Sequence, residues 1–332
     1  MPDLVRRTVA ASEHELLEEA TSRVPMRPGD GLSGVPMERV VLGGERLVAK
    51  WLSYDGDWVM RAMRDHRCIP VLMWETGLYD RLLPYVDPVV VGASRDEAGT
   101  CVLLMRDVGD CFVDEGEATL DRAEHDAFIS AMAVMHAGMW GFTDDVGLCA
   151  PVDAYAAFSP STVEREAARG PLQGVPALVP GGWEQLLALV PGPGEAALSL
   201  ANDPTPLVRA LAETPQTLVH GDWKAGNLGV APEGAVILVD WAFPSADAGC
   251  RDLAWYLAVN CDRLPCSKED VIAAYRSALE RRGIETAGWF ERQLELSLLG
   301  AFLQLGWSKT GDARELAWWV DAVGRIAVDL NK

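Results

Sequence analysis

Apolar and polar positions follow two rhythms along this chain, and the rhythm changes once. In residues 39–51, RVVLGGERLVAKW and its neighbours, apolar runs flank a Gly-Gly pair, which predicts two short strands closed as a hairpin. From about Asp57 to Leu83 the apolar residues recur at mixed three- and four-residue spacings, a helical rhythm that Pro70 must begin or kink. VVVGAS and TCVLLM follow, two strand-like runs separated by a polar turn. Residues 1–23 read as an amphipathic helix. The first hundred residues therefore predict a small antiparallel sheet with a helix laid on it.

Beyond Met105 the helical rhythm takes over. Residues 122–139 form a strong helical pattern, with Asp121 or Asp126 as its acidic start. From about 150 to 205 the chain is punctuated by Pro and Gly, with helical pieces at 162–169 and 183–191 separated by PGG and PGPG turns. Short strands are expected around TLVHG, NLGVA and AVILVDW, and four helical segments run from Arg251 to Leu330. The boundary falls near 105–110, dividing a strand-rich part, 1–105, from a larger helical part, 106–332.

Composition narrows the classes. Of 332 residues, 49% are hydrophobic and 23% charged, which fits a globular chain and argues against disorder. The 29 basic and 49 acidic side chains give a net charge of −20, which disfavours nucleic acid and anionic membrane surfaces as partners. The charge suits a cationic ligand as well as a merely solvated acidic surface. No apolar stretch reaches the roughly 18 residues of a membrane span, and the N-terminus lacks a signal-peptide core. Seven cysteines without a CxxC pair read as reduced thiols, so a cytoplasmic location is expected.

The densest chemistry lies in residues 217–256, TLVHGDWKAGNLGVAPEGAVILVDWAFPSADAGCRDLAWY. His220-Gly221-Asp222 is followed two residues on by Lys224 and five on by Asn227, and thirteen further Asp240 closes an apolar strand. A strand-turn-strand carrying Asp, Lys, Asn and Asp has a physical use. Phosphoryl transfer needs a carboxylate to orient a hydroxyl, oxygen ligands for Mg²⁺, and a cation on the migrating phosphate.

HGDWKAGN resembles the kinase catalytic loop HRDLKxxN, with Gly in place of Arg. The HGD form is typical of the aminoglycoside phosphotransferase and choline kinase-like family. Asp240-Trp241 stands where kinases carry DFG, and Asp252-Leu253-Ala254 matches the DLA element that this family places soon after. The resemblance implies an α+β, two-lobed protein-kinase-like fold: a small antiparallel-sheet N-lobe with a helix, and a larger, mainly helical C-lobe joined at a hinge near 103–110. It implies a small-molecule kinase using Mg²⁺ with ATP or GTP as phosphoryl donor, acting as monomer or homodimer.

By the same resemblance Asp222 orients the acceptor hydroxyl and Lys224 touches the transferring phosphate. Asn227 and Asp240 hold the metal, while His220 and Asp252 support the loop. Lys50, in LVAKWL, resembles the kinase VAIK lysine that meets nucleotide phosphates, with Glu75 as its helix partner. Arg106, Asp107 and Val108 would meet the nucleobase through backbone groups. The Gly-rich kinase loop is absent; Gly31, Gly34 and Gly43-Gly44 are the only candidates to replace it. The acceptors implied are hydroxylated antibiotics of aminoglycoside, macrolide or nucleoside type, as in resistance enzymes, or amino-sugar and amino-alcohol metabolites. The net charge favours a cationic one.

Other classes fit less well. A protein kinase needs a peptide-docking segment of about 20–30 residues after DFG, and only eleven separate Asp240 from Asp252. A dinuclear phosphatase would gather histidines, whereas His14, His66, His125, His136 and His220 are scattered. A nucleotide-binding regulatory module without turnover would be expected to lack Asp222, Asn227 or Asp240. Twelve tryptophans, among them Trp223, Trp241, Trp289, Trp307, Trp318 and Trp319, read mainly as core, with an aromatic wall for a sugar or cation as the alternative.

Overall fold

The computed structural model describes residues 10–26, 35–113, 116 and 118–330. Helix α1 (Glu13–Leu17) is only five residues long, and strand β1 (Ala20–Pro25) follows where the opening helix was expected to continue. Leu17 is buried, but Ala20 onward finds a partner strand that satisfies its backbone. β1 pairs with β2 (Met37–Leu42), which turns at Gly43-Gly44 into β3 (Glu45–Leu52), the predicted hairpin. The apolar stretch after it is three short helices, α2 (Trp58–Ala62), α3 (Ile69–Glu75) and α4 (Leu78–Leu82). Pro70 sits in the first turn of α3, where its missing N–H has no intrahelical partner to lose. β4 (Val90–Arg95) and β5 (Cys101–Arg106) complete an antiparallel sheet of order β1-β2-β3-β5-β4.

Alternation along β3 decides which side chains face the core. Leu47 and Ala49 pack with Leu17, Val40, Val102 and Leu104, so Lys50 points from the opposite face.

Helix α5 (Arg122–Gly138) begins at Asp121, whose carboxylate accepts the amides of Ala123 and Glu124; Asp126 instead bonds Arg122. Its buried face, His125, Phe128, Ile129, Met132, Met135 and His136, follows the helical period. Then come α6 (Pro151–Tyr155), α7 (Pro160–Ala167), α8 (Val175–Leu189), α9 (Pro191–Asn202) and α10 (Thr205–Ala212). Two expected turns are helical instead. Pro180-Gly181-Gly182 lies inside α8, and PGPG opens α9. Burial of Val179, Trp183 and Leu186 on one face of α8 outweighs the local breakers, and Pro191 at the start of α9 is preset for a first turn.

Strand β6 (Thr217–Val219) leads into the HGD loop, and β7 (Leu228–Val230) and β8 (Val236–Leu238) form a hairpin. β9 (Ser245–Asp247) pairs with β6, and α11 (Cys250–Val259), α12 (Lys268–Arg281), α13 (Phe290–Leu305) and α14 (Ala313–Leu330) end the chain as predicted.

Contacts group the chain into two compact units: residues 1–113 with 227–242, and residues 114–226 with 243–332. Where a division near 105–110 was expected, the β7–β8 hairpin thus belongs with the N-terminal sheet. Ile237 and Ala231 pack on Val89, and Asp87 exchanges backbone hydrogen bonds with Val236 and Leu238. A Cβ on Gly229 would come within 2.5 Å of the Cys111 carbonyl, so only glycine allows this approach. No described helix is long and apolar enough to cross a membrane.

Candidate active site

In the first unit the hairpin sets the geometry. Leu228 faces Leu238 across the ladder, and the Val239 amide donates to the Asn227 carbonyl at 3.0 Å. That register brings Asn227, just before β7, beside Asp240, just after β8. Asp240 has φ of 64°, a left-handed conformation that costs on the order of 1–3 kcal/mol and clusters at functional sites. Its Oδ1 accepts from Lys50 Nζ at 2.7 Å. Trp241, next along, is buried edge-on to Tyr79 and donates to the Leu238 carbonyl at 2.9 Å.

Glu75 does not partner Lys50. As the last residue of α3 it accepts from Arg95 of β4 at 3.3 Å instead. The carboxylate closest in character to the expected partner is Asp57, which the motifs did not single out. It caps α2 by accepting the Val59 amide at 2.8 Å, and burial raises its pKa while the nearby Lys50 charge opposes that rise. No spacing rule marked it, because its role depends on where α2 starts.

The proposed hinge is mostly engaged in structure. The Arg106 and Asp107 amides donate to the Val89 and Arg46 carbonyls, and the Val108 carbonyl accepts from Cys111. Arg106 ion-pairs with Asp87 and lines a recess of about 620 Å³ beside Tyr79 and Val89, while Asp107 bonds Arg46. Gly31 and Gly34 lie outside the described residues, and Gly43-Gly44 forms the β2–β3 turn.

In the second unit the HGD loop is pinned by α11 at both ends. Asp252, in the first turn of α11, accepts the His220 amide at 2.8 Å through Oδ2 and the Gly221 amide at 2.7 Å through Oδ1. Asn260, just past the helix, accepts the Ala225 amide at 3.1 Å. His136 Nε2 also bonds Asp252, at 3.1 Å, and its Nδ1 shares a hydrogen bond with the Tyr275 hydroxyl. Burial works against the Asp252 charge, but the His136 hydrogen bond and the charges and amide around it hold its pKa below the ordinary value. His220 Nδ1 accepts the Asp222 amide at 3.1 Å.

Gly221 explains the departure from the kinase Arg. Its φ is 81°, and a Cβ there would sit 2.4 Å from the Phe243 carbonyl. With the backbone so held, the Asp222 carboxylate lies between two donors: Lys224 Nζ at 2.6 Å on Oδ2 and Trp255 Nε1 at 2.8 Å on Oδ1. Trp223, beside it, is fully buried.

The donor set fits a hard cation. Asp240 and Asn227 stand at one hairpin end and would offer oxygen ligands to such an ion, and Mg²⁺ usually takes only one or two carboxylates besides water and phosphates. No cluster of three or more His, Cys, Asp or Glu is found among the described residues.

Among solved structures the chain is similar to choline kinase LicA from Streptococcus pneumoniae, at 14% identity over 96% of this chain and 95% of that one, with a TM-score of 0.49. It is also similar to the aminoglycoside phosphotransferase APH(4)-Ia in a thermostable mutant, at 15% identity over 95% and 97%, with a TM-score of 0.48. A microcompartment-associated aminopropanol kinase gives 14% identity over 99% and 94%, with a TM-score of 0.48. No curated protein matches the sequence. The motifs that position Asp222, Asn227, Asp240 and Asp252 all fall within residues 41–291, the span that matches APH, and the chain belongs to this phosphotransferase enzyme family.

Proposed function

We propose that the protein is a small-molecule kinase that transfers the γ-phosphoryl group of a nucleoside triphosphate to a hydroxyl of a small cationic acceptor, an amino alcohol or amino sugar. The carrying observation is the Lys50–Asp240 contact of 2.7 Å at the hairpin end that also holds Asn227. An ammonium, a carboxylate and an amide oxygen are what a metal–triphosphate requires of a protein. Bound Mg²⁺ supplies charge neutralisation on the phosphates. Asp240 and Asn227 would hold that ion, and Lys50, beside Asp240, would meet a phosphate oxygen.

Asp222 accepts the acceptor's hydroxyl proton or fixes its direction, and Lys224 adds positive charge next to that carboxylate. Most of the rate comes from this positioning and charge. A net charge of −20 supports a cationic acceptor by raising its local concentration.

The test incubates the protein with Mg-ATP or Mg-GTP and a panel of amino alcohols, amino sugars and antibiotics, read by mass spectrometry. Phosphoryl gain is expected with wild type and a loss of about 10²–10⁴ in turnover with Asp222→Asn. Full activity in that variant removes Asp222 from the mechanism. Nucleotide binding without transfer to any panel member leaves two readings, an acceptor outside the panel or a regulatory module.

A further inference from the structure

Trp255 lies on α11 three residues after Asp252, so both project from the same side of the helix toward the HGD loop. Asp252 takes the loop's amides; Trp255 takes the side chain that the loop presents, its Nε1–H donating to Asp222 Oδ1 at 2.8 Å. The indole is itself held. It is 6% exposed, and the Phe158 ring stacks on it with centroids 6.2 Å apart and planes at 27°. Phe158 in turn approaches Trp307, and its carbonyl accepts from Trp183 at 3.2 Å. Trp183 and Trp307 donate to backbone carbonyls. Trp255 alone of this cluster donates to an acidic side chain.

We infer that Trp255 is a positioning residue that fixes the plane of the Asp222 carboxylate for the acceptor hydroxyl, a role that rests on the proposed function of Asp222. Lys224 and Trp255 each donate to one oxygen, so the carboxylate is held from both sides. Lys224 has a flexible stem and sets no plane by itself. A rigid indole N–H on the other oxygen does, and a neutral donor leaves the carboxylate's charge intact for the hydroxyl proton.

The test uses two variants: Trp255→Phe, and the full-length protein carrying, at position 255 only, a benzothiophene analogue in which sulfur replaces the indole N–H. The probes are Mg-ATP with choline, 1-amino-2-propanol and hygromycin B, and Mg-ATP with water alone, read as ADP release. The analogue variant should melt as wild type does, and both variants should lose about 10- to 100-fold in kcat, the worth of one hydrogen bond to a charged group, with nucleotide KM within about twofold. In an Asp222→Ala background, either change should cost little more, because the two residues act as one unit. An analogue with wild-type kcat, or losses that multiply with Asp222→Ala, overturns the inference while leaving Asp222 its role. Unimpaired turnover in Asp222→Ala alone, or no ADP release from wild type with any probe, overturns the reading of Asp222 and this inference with it.

Discussion

The supports of Asp222 and Asp240 differ in kind. Asp222 lies in a loop whose amides at 220, 221 and 225 are all taken by α11 and the residue after it, and its own side chain is only 5% exposed. Asp240 stands in a left-handed conformation at a hairpin end, its side chain 33% exposed and paired to a lysine on a long stem. A proton acceptor gains from being immobile, since misplacement of the hydroxyl raises the barrier directly. The role proposed for Asp240, holding a metal, would instead need a side chain that can leave one cation for another. A replaceable ion pair on a strained residue suits that purpose.

The largest expected effect removes the rigid support. Asp252→Asn places a donor where three donors converge, and should lower unfolding stability by roughly 3–5 kcal/mol in denaturant melts. A loss below about 1 kcal/mol would show that the loop does not rest on Asp252. Next, Gly221→Ala forces a Cβ against the Phe243 carbonyl at an unfavourable φ and should cost on the order of 2–3 kcal/mol. Unchanged stability there would mean the loop can shift, and the contrast with Asp240 would collapse.

At the softer support the expected loss is in activity and not in stability. Lys50→Ala should reduce kcat/KM for nucleotide by about 10- to 100-fold with little change in melting temperature, because its ion pair is partly solvated. Glu75→Ala, which loses only the Arg95 contact, should stay within about twofold of wild type. Equal losses in both would restore Glu75 as the lysine's partner. The smallest effect concerns pH. Burial holds the His125 imidazole below its ordinary 6.5, so the unfolded chain binds that proton more readily. Stability is therefore full above that value and declines as pH falls beneath it. His125→Gln should flatten this decline, by under about 1 kcal/mol, in melts between about pH 7.5 and 5.5.

Much of this was legible in the chain. The β2–β3 hairpin, the α5 face and the last four helices follow from local periodicity, because short-range burial decides them. The HGD loop could be located because its polar residues keep a fixed spacing in one contiguous segment. Local signals misled at Pro180, where the buried face of α8 outweighs a breaker, and at Ala20, where a partner strand outweighs helical rhythm.

The residue types available for phosphoryl chemistry, and their order along the chain, were thus determined by sequence alone. Tertiary structure decided their partners. Glu75 turned to Arg95, Lys50 found Asp240 across 190 positions, and Asp222 received Trp255 from 33 residues away. The physical reason is range. Periodicity and turn chemistry act over a few residues, whereas the hydrogen bonds that orient a carboxylate depend on which helix face packs where, and only the folded core sets that.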